Sequence, residues 1–283
     1  NNSCARLDPP WLDWQGSAGF CSPHPSCRGA ALAGSALSYT AGRFFWSASM
    51  SEPIRLSKRV IELTGCSRAQ AERYVEGGCV SVDGEVIDRP EHPVSSERVE
   101  VDLDAAAAPL EPMTLLLHKP ADVEVVPALV AAERHWAEDS SGIRLLRRHL
   151  RKLLPLLPLE REASGLQPFT QDGRLLHRVR EEGARIEQEF IVEVEGSVAA
   201  YGLHRLSHGL SFEGRALAPC KVSWQNETRL RFAIKDVRPG QLRWMCAQVG
   251  LRVLSTKRIR LGRVPLAKLP EACWRYLPSG ERF

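Results

Sequence analysis

The sequence predicts an α+β protein in two parts: a small module of two helices and a hairpin, followed by a larger sheet-containing domain. Three observations predict it. Leu56, Val60 and Leu63 recur at helical spacing before Thr64-Gly65, and Ser67 stands as a helix cap before Arg68–Glu76. Asp83-Gly84 separates Cys79-Val80-Ser81-Val82 from Glu85-Val86-Ile87, which is a hairpin signal. Farther on, Ile186–Val194 alternates polar and apolar residues as a half-buried strand does.

Composition bounds the rest. The chain has 283 residues, 43% hydrophobic and 25% charged, with room for about two domains. A net charge of +4 is mild, so nucleic-acid affinity has to come from local clusters. The eight cysteines form no C-x-x-C pair and no metal-ligand spacing, a pattern expected of reduced thiols in the cytoplasm. No apolar run reaches the roughly 18 residues that span a bilayer. No phosphate-binding Walker loop, dinucleotide fingerprint or zinc motif is found, so neither a cofactor nor a metal is expected. Residues 1–49 lack a sustained period and differ in texture from the segment that Met50 opens. They are expected to be a disordered or non-native extension.

The module is expected over residues 50–104. Its first helix stops at Gly65, placed for a left-handed cap, and its second at Gly77-Gly78. Arg55, Lys58, Arg59, Arg68 and Arg73 gather on the two helices, whereas Glu91, Glu97, Glu100, Asp102 and Asp104 crowd the far end. A basic helix face is either solvated or a phosphate contact. Ala105–Ala108, Pro109 and Pro112 give residues 105–112 the composition of a linker.

The larger domain occupies 113–283. Met113–His118 reads as a buried strand ending at Lys119-Pro120, and Arg144–Leu154 as a basic amphipathic helix. Ala199–Gly209 reads as a helix carrying His204 and His208, a surface pair with no third metal ligand. Leu217–Val222 and Arg229–Ile234 read as strands, and Gln241–Gly250 as a helix with a glycine stop. Leu251–Leu269 carries Arg252, Lys257, Arg258, Arg260, Arg263 and Lys268 without an acidic residue, which favours polyanion binding.

These segments carry a resemblance. Arg55-Leu56-Ser57-Lys58, Ser67-Arg68, Ala71-Glu72, Gly77-Gly78 and Val82-Asp83-Gly84 match the S-four-type RNA-binding domain. Leu159-Glu160, Gly165-Leu166, Thr170 and Asp172-Gly173 resemble the active-site segment of RsuA-like bacterial RNA pseudouridine synthases. There, Gly-Arg-Leu-Asp precedes (Thr/Ser)-x-Gly-Leu and Thr-x-Asp-Gly. Further matches are Lys119-Pro120 to Lys-Pro-x-Gly and Gln241-Leu242-Arg243 to part of Asn-Arg-Gln-(Ile/Val)-Arg-Arg-Met. Leu269–Leu277 matches Leu-Pro-x-Gly-x-(Trp/Tyr)-Arg-x-Leu. The departures fall in the motifs themselves. Glu160 stands at the catalytic Asp, Leu157-Pro158 at Gly-Arg, Phe190 at the Tyr that packs on the base, and Pro239-Gly240 at Asn-Arg.

The resemblance implies a mixed, mainly antiparallel sheet and a cofactor-free isomerisation of uridine in RNA. The nucleotide is flipped out, detached from its sugar, rotated and rejoined through carbon five. It implies Glu160, Arg243 and Phe190 as catalytic positions, with Arg243 pairing to the carboxylate. The expected RNA-binding residues are Arg55, Lys58, Arg59, Arg68, Arg73, Lys119, Lys257, Arg258 and Arg260. The implied partner is ribosomal or transfer RNA, bound by a monomer away from membranes. Glu160 adds a methylene to Asp, a displacement of about 1 Å that can lower a rate about a hundredfold. Two functions therefore stay open: an RNA pseudouridine synthase, or an RNA-binding pseudoenzyme.

Overall fold

The computed structural model describes residues 52–278 and 280–283. The extension expected at 1–49, with a start at Met50, lies outside the described residues.

The module forms as its sequence signals dictate. Helix α1 (Leu56–Thr64) ends where Gly65, at φ 69°, donates its N–H to Ile61 O. Helix α2 (Arg68–Glu76) opens on a capping box: Gln70 N–H donates to Ser67 Oγ, and Ser67 N–H donates to Gln70 Oε1 at 2.9 Å. Strands β1 (Val80–Val82), β2 (Glu85–Val86) and β3 (Val99–Val101) pair antiparallel in the order β2-β1-β3. Asp83 and Gly84 make the connecting turn with φ of 50° and 85°, the doubly left-handed geometry that favours Asp-Gly. Leu56, Val60, Ala71, Val75, Val80, Val82 and Val94 form the module's own core.

Beyond it, α3 (Leu103–Ala107) is capped by Asp102, whose Oδ1 accepts from Ala105 N at 3.0 Å. The alanine run expected to start the linker at 105 is therefore partly helical, as good helix formers behind an acidic cap should be.

The second domain is built on a nine-stranded sheet. Its strands are β4 (Thr114–Lys119), β5 (Ser164–Thr170), β6 (Gln188–Gly196), β7 (Lys221–Trp224), β8 (Arg229–Ile234), β9 (Leu251–Leu261) and β10 (Trp274–Tyr276). The order is β7-β8-β6-β9-β5-β4-β10, with two short strands, Leu154–Pro155 and Val264–Pro265, added on β5 and β9. Every pairing is antiparallel except β9 with β5. Helix α4 (Gly173–Glu182) follows β5, α5 (Gly202–Ser207) follows β6, and α6 (Gln241–Ala247) follows β8. Phe190, Val192 and Val194 of β6 pack with Leu230, Phe232 and Ile234 of β8 in the largest core cluster.

The parallel contact depends on one glycine. Gly165 pairs with Arg258 and has φ 108°; a Cβ there would lie 2.2 Å from Arg258 O. Only a residue without a side chain lets β5 and β9 approach this closely.

Three expectations are corrected. Arg144–Leu154 is not a helix: it contains a single 3-10 turn at Arg147–Leu150, and Lys152 adopts φ 53°. Its apolar residues serve different neighbours. Leu146 lies against Gly78 of the module, while Leu150 and Leu153 join the core around Trp274 and Tyr276. Arg147 N–H donates to Asp88 Oδ2 at 2.7 Å and Arg151 pairs with Glu76 at 3.3 Å, so the segment bridges module and sheet. The helix expected at Ala199–Gly209 is confined to α5, since Tyr201 begins it with φ 57°. The strand expected from Leu217 begins only at Lys221, after Pro219.

Candidate active site

The Leu156–Ala163 loop leading into β5 is held from below by buried side chains. Gln167, in the middle of β5, donates Nε2–H to Leu156 O at 3.0 Å and accepts from Leu159 N at 2.9 Å. Arg258 of β9 donates to Leu157 O at 2.8 Å and Leu166 O at 2.7 Å. Lys119, at the end of β4, donates Nζ–H to Pro120 O, Arg161 O and Ala163 O at 2.9, 2.8 and 2.6 Å. Charged donors facing several carbonyls make strong contacts, because those carbonyls have no water to turn to. Burial pulls the Arg258 guanidinium down to about 9 and lowers the Lys119 ammonium.

This suspension carries Glu160 to the mouth of a cavity of about 230 Å³. Its Oε1 accepts from Gly240 N at 2.7 Å, and among the described residues its Oε2 has no hydrogen-bond partner. Phe190, Gln188, Val237 and Leu242 line the same space, with Arg238 among its polar residues. Gly240 reaches Glu160 because it adopts φ 73° at the head of α6. The arrangement offers one anchored carboxylate above apolar walls, next to a cation.

The loop keeps a backbone shape that its residues do not favour. Leu157 stands where the resembling motif has glycine, and its φ is 41°. The same holds for Asp122 (φ 60°) after Lys119-Pro120, and for Ala272 (φ 61°) in Leu269–Leu277. Left-handed φ on a non-glycine residue carries a conformational penalty of about 1 kcal/mol or more, least for Asp.

The predicted site residues separate into groups. Glu160 and Phe190 come together at the cavity, with Phe190 only 3% exposed and packed into the core. Arg243 does not join them: it is exposed on α6 and makes no ion pair with Glu160, whose partner is a backbone N–H instead. Lys119 and Arg258, expected to contact RNA, are 0% and 1% exposed and hold the loop from inside. Arg260 pairs with Glu187 at 2.6 Å and Glu189 at 2.5 Å, and Arg252 pairs with Glu195. Two cations of the acid-free run, Arg252 and Arg260, are thus paired with carboxylates on or just before β6, the neighbour of β9 in the sheet, a pairing that sequence order conceals. Lys257 stays half-buried without an ion pair among the described residues.

On the module, Arg55, Lys58 and Arg73 are exposed and without ion pairs among the described residues. Arg59 pairs with Glu62 and Arg68 with Glu72 at 3.3 and 2.8 Å, exposed contacts of small energetic weight. Sequence reasoning missed Gln167, Gly240 and Arg238. The Arg238-Pro239-Gly240 turn was a signal for the last two, while a buried Gln in an apolar strand gives none. His204 and His208 stand with their Nε2 atoms 2.8 Å apart, and no group of three metal-ligating side chains occurs among the described residues. No described helix is long and apolar enough to cross a membrane.

Comparison with known proteins agrees with this architecture. Residues 54–99 match the S4 domain. Dual-specificity RNA pseudouridine synthase RluF of Escherichia coli (strain K12) is 26% identical over 230 residues, covering 81% of this chain and 77% of that protein. Ribosomal small subunit pseudouridine synthase A of the same organism is 26% identical, covering 75% of this chain and 91% of that protein. A crystal structure of a pseudouridylate synthase shares the fold with a TM-score of 0.50 at 20% identity, covering 79% of this chain and 96% of that one. The chain therefore has an S4 domain preceding a domain of pseudouridine synthase fold, and most of its length is similar to RNA pseudouridine synthases.

Proposed function

We propose that this protein is an RsuA/RluF-type RNA pseudouridine synthase that acts as a cytoplasmic monomer on ribosomal RNA, or on transfer RNA, with Glu160 as its essential carboxylate. The observation that carries the reading is the Glu160 cavity: one carboxylate oxygen fixed by Gly240 N–H, the other without a partner among the described residues, beside Phe190. In the reaction, the bond between N1 of uracil and the ribose breaks, and carbon five takes its place. The proton on carbon five leaves and N1 gains one, so nothing is consumed. An anchored carboxylate supplies negative charge at the sugar or base, and the apolar walls exclude competing water.

The test is release of tritium from RNA labelled at carbon five of uridine, comparing the parent with Glu160→Ala and Glu160→Asp. Release by the parent that disappears in the Ala variant is expected. A second reading, RNA binding without turnover, is favoured by the exposed position of Arg243, which leaves Glu160 without a guanidinium partner among the described residues. A parent that is folded, binds RNA and releases no tritium would establish that reading. Release by the Asp variant alone would show that one methylene separates the two.

A further inference from the structure

A second cavity, of about 330 Å³, lies between the first turns of α4 and the Leu277–Phe283 segment. Arg174 and Arg178 stand one helical turn apart on α4, and Arg282 faces them from the end of the described chain. Leu175, Leu277 and Phe283 supply an apolar floor.

All three arginines are exposed, and none makes an ion pair among the described residues. Two side-chain carboxylates also line this cavity. Asp172 caps α4 by accepting from Arg174 N at 2.8 Å, and Glu281 pairs with the buried Arg275 at 3.0 Å. The arginines of the sheet behave differently, because Arg229, Arg231, Arg252 and Arg260 all have Glu partners on β6. Three guanidiniums facing one side-chain carboxylate without an ion pair, that of Asp172, leave an excess of positive charge that matches phosphate oxygens, which accept paired N–H donors. An aromatic ring in the floor suits a base attached to such a phosphate.

Helix α4 links this cavity to the candidate active site. Gly183, at the far end of α4, packs against Leu157, with a would-be Cβ only 3.0 Å from the leucine side chain. Leu157 lines the Glu160 cavity. At about 1.5 Å per residue, Arg178 and Arg174 lie about 8 and 14 Å along the helix from that contact. A strand leaving the Glu160 cavity along this helix would meet Arg178 before Arg174.

We propose that α4 and Arg282 form a phosphate-binding subsite for single-stranded RNA flanking the nucleotide in the Glu160 cavity. This rests on the reading of the protein as RNA-binding and adds a contact surface separate from the S4 module. The subsite recognises backbone charge, so it contributes affinity and register without reading sequence.

The experiment measures binding of a fluorescein-labelled, uridine-containing single-stranded RNA oligonucleotide to the full chain over a salt series. The proteins are the parent, Arg174→Gln/Arg178→Gln/Arg282→Gln, Arg55→Gln/Lys58→Gln/Arg73→Gln in the module, and Arg205→Gln/Arg215→Gln/Lys235→Gln as a control for lost net charge. Losing three contacts should reduce the slope of log K against log salt by about 2, at about 0.7 per phosphate on a single strand. The dissociation constant should rise about tenfold or more, and the thermal midpoint should stay unchanged because the three side chains are exposed. The control should move both readouts much less. If the α4 variant binds like the parent, or no more weakly than the control, while the module variant weakens, the subsite is wrong and the RNA-binding reading stands. If the parent itself binds no RNA, both fall together.

Discussion

At three motif turns the sheet domain meets with other residues a backbone requirement that the module meets mainly with glycine. In the module, the helix stop and the hairpin turn place glycine at left-handed φ: Gly65 at 69°, Gly78 at 74° and Gly84 at 85°. In the sheet domain, three turns that the resembling motifs fill with glycine are filled by Asp122, Leu157 and Ala272, and each keeps a left-handed φ of 60°, 41° or 61°. Cations divide the same way. Arg55, Lys58 and Arg73 project freely from the module, whereas Lys119 and Arg258 are sealed beneath the Glu160 loop. The sheet domain keeps the backbone geometry of these turns without the residues that favour it. Its loop stays in place because the buried donors hold carbonyl oxygens, a contact indifferent to which side chains the loop carries.

The largest effect that would break this comparison belongs to Gly165. A Cβ there meets Arg258 O at 2.2 Å and Arg258 N at 2.6 Å, both backbone atoms that cannot turn aside. Gly165→Ala should cost more than about 4 kcal/mol or prevent folding of the sheet domain, because it separates β5 from β9 and detaches Arg258 from the loop. Urea denaturation followed by tryptophan fluorescence reads this directly, since Trp136, Trp224, Trp244 and Trp274, the tryptophans among the described residues, all belong to the sheet domain. A midpoint within error of the parent would show that β5 and β9 are not bound as described.

A smaller effect depends on pH. His149 is buried, with Nδ1 2.8 Å from Tyr276 Oη, and burial with Arg148 nearby lowers its pKa from 6.5 to about 4. The unfolded chain therefore takes up the proton first as pH falls. The stabilisation is complete above pH 6.5 and is lost progressively toward pH 4. The urea midpoint of the parent should fall across that window. His149→Asn should flatten the fall without abolishing it, because burial also lowers His118. An unchanged slope in the variant would remove His149 from the account. The bridging segment that carries this histidine would then owe its acid sensitivity to other groups.

How much of this was legible depends on the neighbours each residue answers to. Ser67, Gly65 and Asp83-Gly84 act within four residues of themselves, so the module could be read locally. Arg144–Leu154 could not. Its leucines have helical spacing, yet Leu146 answers to Gly78 and Leu153 to the core around Trp274, distant in sequence and on different sides. The ion pairs of Arg252 and Arg260 were hidden for the same reason, since Glu187, Glu189 and Glu195 lie on or just before another strand. At the site, motif register points to Glu160 and Phe190, and both line one cavity. The partner of Glu160 was not found, because a backbone N–H such as that of Gly240 leaves no side-chain signature.

The smallest effects test the comparison from both sides with reciprocal substitutions. Around Gly65, no atom lies within 4 Å of a would-be Cβ, so Gly65→Ala isolates the conformational penalty of φ 69° and should destabilise by about 1 kcal/mol. Ala272→Gly should do the reverse. It relieves φ 61° but raises the entropy of the unfolded chain, and the balance should be a gain of about 0.5 kcal/mol. Asp122→Gly should change stability by less than about 0.5 kcal/mol, since Asp tolerates the left-handed region better than Ala. Leu157→Gly should still lose stability despite a φ of 41°, because the leucine packs into the cluster around Leu116, Leu166 and Leu261. Opposite signs at Gly65 and Ala272 in urea midpoints would confirm that the two parts share one backbone rule and differ only in the residues that meet it. A loss at Ala272 equal to that at Gly65 would mean that its methyl group contributes more through packing than φ 61° costs.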